Sequence, residues 1–152
     1  MGALPGVELE IAEWIHEAQK HEFVVNLVPE DEIAAVSPDY LSAKANGELP
    51  LVQESPLPSA GPVDEKSLQR FWEKAFVVKT CFASGDTALA FDDRLGERTA
   101  MFAIAVMMQR GLTFKKARSE ASRIGLSVSD PERIAILKQE KGLPKALRVD
   151  RS

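Results

Sequence analysis

From Asp92 to Thr99 the chain reads D-D-R-L-G-E-R-T, and here it gathers side chains able to do chemistry. Three acids, Asp92, Asp93 and Glu97, surround two arginines, Arg94 and Arg98, with Leu95 and Gly96 between them and the Thr99 hydroxyl at the end. The apolar run TALAF (87–91) precedes this segment and TAMFAIAVMM (99–108) follows it, which predicts strand, loop and helix. Such a turn presents free backbone N–H groups and the positive end of a helix dipole, a setting that suits an anion. The Arg98 guanidinium would add a planar fork for phosphoryl oxygens. The acids oppose that task. At ~4 Å and an effective dielectric of ~20, each acid facing a bound anion costs about 4 kcal/mol per anion charge. The same acids could offer oxygen ligands to a hard cation, but they bring no partners from elsewhere in the chain, so no metal site is expected.

The elements around this loop must belong to one core. A chain of 152 residues suits a single domain, drawn here as 1–145 with a frayed tail at 146–152. Hydrophobic residues make up 45% and charged residues 28%, the balance of an ordinary globular protein, and no apolar run approaches the ~18 residues of a membrane span. MGALPGVELE has no basic-then-apolar leader pattern, so the expected location is cytoplasmic. The only cysteine, Cys81, excludes an intrachain disulfide and a cysteine zinc site and reads as an inert thiol. A formal charge of -4 and a pI near 5.3 speak against nucleic acid and membrane as partners.

Along the chain, VELEIAEWIHEAQKH predicts a helix with Leu9, Ile11, Ile15 and Ala18 inward, and FVVNLV a buried strand. PEDEIAAVSPDYLSAKANGELP predicts one or two short helices, starting at Ser37-Pro38-Asp39 and stopping at Asn46-Gly47. LVQES is a second strand, and SPLPSAGPVD an ordered loop because its prolines forbid helix. Residues 64–84 predict a long helix with Leu68, Phe71, Trp72, Ala75, Val78 and Phe82 inward. The helix after the charged loop is apolar nearly all round and so belongs at the centre, with Met101, Phe102, Met107 and Met108 as packing. Thr113 caps the next helix, and Ser129-Asp130-Pro131-Glu132 reads as a capping box for the last. Alternating helices and apolar strands predict an α/β domain, a small mostly parallel sheet flanked by helices.

Residues 91–99, F-D-D-R-L-G-E-R-T, followed by an apolar helix, a glycine and another helix, resemble the signature H-C-x-x-G-x-x-R-[ST] of the cysteine-dependent protein-tyrosine and dual-specificity phosphatases. PLPSAGPVD (56–64) is similar to the family's P-I-P-D-x-G-x-P loop, and FVVNLVPEDEI to its second-strand segment; the resemblance spans about Leu4 to Gly125. It implies a phosphatase-like fold of the dual-specificity type, lacking an N-terminal edge strand because the turn Leu4-Pro5-Gly6 comes almost at once. An open edge would favour a partner adding a strand.

The same correspondence puts Asp92 in place of the nucleophilic cysteine, Ser59 in place of the general acid, Phe91 in place of the histidine and Leu95 in place of the glycine. A carboxylate is a poor nucleophile toward phosphorus, and a serine hydroxyl is no general acid near neutrality. The expectation is a pseudophosphatase: no catalysis, no cofactor, a degenerate phosphate loop from Asp92 to Thr99, and service as a protein-binding or complex-assembly module. The alternatives are a phospho-residue binder that uses Arg98 without hydrolysis and a weakly active phosphatase using Asp92. A strand-end aspartate also resembles the acceptor of haloacid-dehalogenase-like phosphatases, D-x-D-x-T, but position 94 is arginine.

Overall fold

In the computed structural model, which describes residues 2–4, 9–92 and 96–139, the apolar runs of strand length lie side by side in one parallel sheet. Strands β1 (Gly2–Ala3), β2 (Phe23–Asn26), β3 (Val52–Glu54) and β4 (Ala88–Asp92) take the order β1-β4-β2-β3. Val24 pairs with Leu89 and Val25 with Ala90. The runs are continuous rather than alternating because both sheet faces are covered.

One face carries α1 (Ile11–Ala18), α2 (Glu30–Val36) and α3 (Pro38–Ala45), whose Trp14, Ala18, Ile33 and Tyr40 close over Val24 and Phe91. The other carries α4 (Glu65–Ala83) and α5 (Glu97–Gln109), which bury Phe71, Trp72, Phe102 and Ile104 with Val25 and Ala90. Helices α6 (Phe114–Arg123) and α7 (Pro131–Gln139) pack on α5 from outside through Ala117, Ala121 and Leu137. Helix α5 is therefore enclosed, which its all-round apolar sequence requires. Asp64 caps α4 by accepting from the Ser67 N–H, and Thr113 caps α6 by accepting from the Lys116 N–H. Gly111, with φ 104°, turns the chain from α5 into α6 through a conformation that a side chain would strain.

Four expectations need correction. The edge beside β4 is not bare: Gly2 and Ala3 pair with Phe91 and Asp92, and the Leu4 N–H donates to the Asp92 carbonyl at 2.9 Å. Pro5 and Gly6 lie outside the described residues. In α1 Ala18 is buried as expected, but the other buried residue is Trp14, while Ile11 and Ile15 are half-buried, because the helix turns its aromatic side chain to the sheet. Phe82, expected inward, is 39% exposed at the rim of a small cleft with Val78, Ala90, Phe102 and Met107 that its ring only partly enters. The capping box before α7 does not close between Ser129 and Glu132; Asp130 caps instead, accepting from the Glu132 N–H at 2.9 Å.

Phe91 joins Trp14 and Tyr40 in an aromatic cluster, with its ring centroid 5.0 Å from Trp14 and nearly perpendicular to it. Such edge-to-face pairs add to the burial energy of large rings. Phe91→His puts a polar imidazole into this dry cluster and is expected to cost about 2–4 kcal/mol. Urea unfolding measures it; an unchanged midpoint would show that the cluster does not hold this face.

Candidate functional site

The carboxyl ends of β2, β3 and β4 lie together, the edge at which open parallel sheets present their functional groups. Asp92 is the last residue of β4 and is 1% exposed. Its backbone serves the sheet and its side chain turns to the mouth of α5, where Arg98 stands in the first helical turn. Arg98 Nε donates to Asp92 Oδ1 at 2.8 Å. Arg98 Nη1 donates to Glu32 Oε2 at 2.8 Å and to the Leu57 carbonyl at 2.9 Å. The guanidinium is 3% exposed, so its charge is balanced by protein groups rather than by water.

Sequence reasoning missed Glu32. It lies in α2, 66 residues from Arg98 in sequence, and its neighbours Glu30 and Asp31 are acids that face outward. The described groups around Arg98 therefore hold two carboxylates against one guanidinium.

Glu97 does not join them. Its Oε1 accepts from the Ser129 N–H, the Ser129 hydroxyl at 2.7 Å and the Asp130 N–H at 3.1 Å. Partial burial pushes its carboxyl up, but these bonds together outweigh burial and hold it below the ordinary carboxylate range. Glu97 thus ties α5 to the start of α7, and among the described residues the repulsion of an anion at Arg98 rests on Asp92 and Glu32. Asp93, Arg94 and Leu95 lie outside the described residues. Gly96 has φ −115°, open to any residue, and its carbonyl accepts from the Thr99 hydroxyl at 2.8 Å.

The Pro-rich loop is held by its backbone. Its Leu57 N–H donates to the Leu27 carbonyl at 3.1 Å, extending the β2–β3 pairing, while the Leu57 carbonyl takes Arg98. A second buried arginine, Arg133 of α7, donates from Nη2 to the Pro58 carbonyl at 2.7 Å and from Nε to the Gly61 carbonyl at 3.2 Å. Ser59 lies between these anchors with its side chain exposed. Arg133 was also missed, though its signal was legible: it is four residues before the buried Leu137 and shares its helix face. Burial lowers its pKa from the ordinary guanidinium value. Asn26, buried at the end of β2, accepts from the Val28 N–H at 2.8 Å and donates to Glu54 at 2.7 Å, fixing the neighbouring strand ends.

The arrangement can bury and neutralise charge. Among the described residues no group of His, Cys, Asp and Glu could hold a metal ion. Cys81 lies on α4, its thiol pushed up by burial and by Asp86 and Glu22.

Arg98→Ala removes the guanidinium that balances the buried Asp92 and is expected to cost about 3–5 kcal/mol, whereas Asp92→Leu with Arg98→Met removes both charges and costs much less. Denaturation of these two variants beside the parent decides; equal losses would show that the pair is not coupled. Glu97 has a lowered pKa, so its contribution is present above the unfolded value and is lost as pH falls through the folded one. Glu97→Gln is expected to cost about 1 kcal/mol at pH 7, with the gap to the parent closing below about pH 4.

No protein-family profile matches the chain, and neither does any curated protein. Solved structures do match. A kinase associated phosphatase with its catalytic-site cysteine replaced by serine aligns with TM-score 0.69 and 16% identity, over 91% of this chain and 83% of its own. Tk-PTP in a glycine-to-alanine mutant form gives 0.65 and 23%, over 85% and 82%. Tk-PTP in its active form gives 0.60 and 20%, over 86% of each chain. The chain has the α/β fold of the protein-tyrosine and dual-specificity phosphatases, a small parallel sheet flanked by helices.

Proposed function

We propose that this protein is a noncatalytic pseudophosphatase that acts as a protein-binding or complex-assembly module. The observation that carries this reading is the buried guanidinium of Arg98, bonded to Asp92 and Glu32 at 2.8 Å each. A phosphate dianion at Arg98 must displace a carboxylate or sit beside both, and at ~4 Å and a dielectric of ~20 each like charge opposes it by about 4 kcal/mol per charge. On the family correspondence, the position of the nucleophile is a carboxylate already engaged by that arginine, and the position of the proton donor is Ser59. The Pro-rich loop, fixed by Arg98 and Arg133, offers a rigid surface beside the site rather than a moving acid.

The retained Arg98 suggests the phospho-residue binder as an alternative, and the same two carboxylates weigh against it. Catalysis by Asp92 meets the same obstacle, since its Oδ1 accepts from Arg98 Nε. The cytoplasm is the proposed location; no described helix is long and apolar enough to cross a membrane.

Turnover of a generic aryl phosphate, with and without magnesium, is expected to be absent, as is calorimetric binding of phosphotyrosine and phosphoserine peptides. Neutralising the carboxylates with Asp92→Asn and Glu32→Gln should raise phosphate affinity by about tenfold or more, the equivalent of roughly 1.4 kcal/mol. Magnesium-dependent turnover that Asp92→Asn abolishes would overturn the noncatalytic reading, and micromolar phosphopeptide binding by the parent would replace it with the trap.

A further inference from the structure

The chain's charge of -4 hides two opposite poles. Through Gln109 it has eight Lys and Arg against eighteen Asp and Glu; from Arg110 onward it has eleven against five. The fold sets one acidic and one basic helix far apart. Helices α1 and α6 belong to opposite sides of the sheet, α1 through Trp14 and Ala18, and α6 through Ala117 and Ala121 behind α5.

On α6 and α7 an open groove of about 780 Å³ is lined by Phe114, Lys115, Arg118, Arg123 and Lys138. Arg118 and Lys138 approach the Phe114 ring at 5.8 and 5.6 Å, so the groove has an apolar floor between cations. Its one acidic neighbour on α6, Glu120, pairs with Arg123, which leaves the other three cations in excess. Lys115 to Arg123 spans about 12 Å of helix at the usual rise.

On α1 a second open groove, about 480 Å³, is lined by Leu9, Ala12, Glu13, His16 and Glu17. Glu10, Glu13 and Glu17 follow the three-and-four spacing of one helix face over about 10 Å. Lys20 pairs with Glu17 at 2.7 Å and covers part of this charge. Glu30 and Asp31 of α2 are exposed on the same side of the sheet.

We infer that the basic α6–α7 groove of one copy docks on the acidic α1 face of a second copy, giving head-to-tail self-association. The two surfaces match in sign and in length, and each adds a small apolar centre, Phe114 on one side and Leu9 with Ala12 on the other. A nucleic acid or anionic vesicle would meet the same basic groove, but the acidic half of the molecule repels it and attracts a second copy. Because the two faces differ and lie on opposite sides of the sheet, the contact is heterologous and continues into chains or rings rather than closing as a twofold dimer. This contact does not depend on the Arg98 site.

Sedimentation velocity of the full chain tests it. At about 0.01 M ionic strength, where charges act over about 30 Å, the average sedimentation coefficient should rise with protein concentration; at about 1 M salt the rise should vanish. Lys115→Glu with Lys138→Glu makes both faces acidic, and Glu13→Lys with Glu17→Lys makes both basic. Each variant alone should stay monomeric, and an equimolar mixture should associate again, since each acidic face then finds a basic one. All four positions are exposed, and circular dichroism verifies folding; Lys115→Gln with Lys138→Gln repeats the test without reversal. A monomeric parent at low salt, a mixture that does not associate, or a parent that binds single-stranded RNA or anionic vesicles through Lys115 while staying monomeric would overturn the inference.

Discussion

A guanidinium taken out of water must find its counter-charge in the protein, and the centre of this molecule is organised by where Arg98 finds it. Arg98 stands in the first turn of α5, the helix enclosed on all sides, and cannot swing out to solvent. Among the described residues its hydrogen-bond partners include the end of β4, the helix α2 on the opposite face of the sheet, and the backbone of the Pro-rich loop. One side chain thus fastens elements whose own packing is in separate cores. Burying an ion pair is costly, and the cost is offset only when the geometry is good and the remaining donors are satisfied.

Arg133 repeats this logic at the next layer. It is buried on α7 and bonds the backbone of the same loop on either side of Ser59, while Glu97 binds the chain that leads into α7. The loop therefore sits between two arginines reaching it from two helices. A loop held by its carbonyls is insensitive to the side chains it displays, so Ser59 is free to be whatever the surface requires.

The fold was legible in the sequence because hydrophobic period and cap chemistry are local signals. Phe23–Asn26 and Ala88–Asp92 had the length and composition of buried strands, and Thr113 is a cap as its position implies. The errors arise where two local solutions compete. Trp14 and Ile15 lie on adjacent sides of one helix, and only the tertiary contact with Phe91 chooses between them. The site was half legible: Asp92 and Arg98 are six residues apart, and Arg133 shares a face with Leu137, whereas Glu32 reaches Arg98 from a distant segment with no pattern that marks its target. The charge poles escaped for a different reason. Net charge is a sum, and a sum near zero describes an even surface and a divided one equally well.

What holds the strand and helix frame of the site in place follows from where it lies. Phe91 and Asp92 occupy an interior strand between two cores, and α5 is the helix on which α4, α6 and α7 all pack. Changing this backbone would disturb both layers, while changing its side chains needs only local compensation. At position 91 that compensation is a ring filling the space between Trp14 and Tyr40; at position 92 it is a carboxylate meeting the guanidinium already fixed by Leu57 and Glu32. An acid there gives Arg98 a counter-charge from within the protein. The frame is thus held by packing and its chemistry by charge, and the second can change while the first stands.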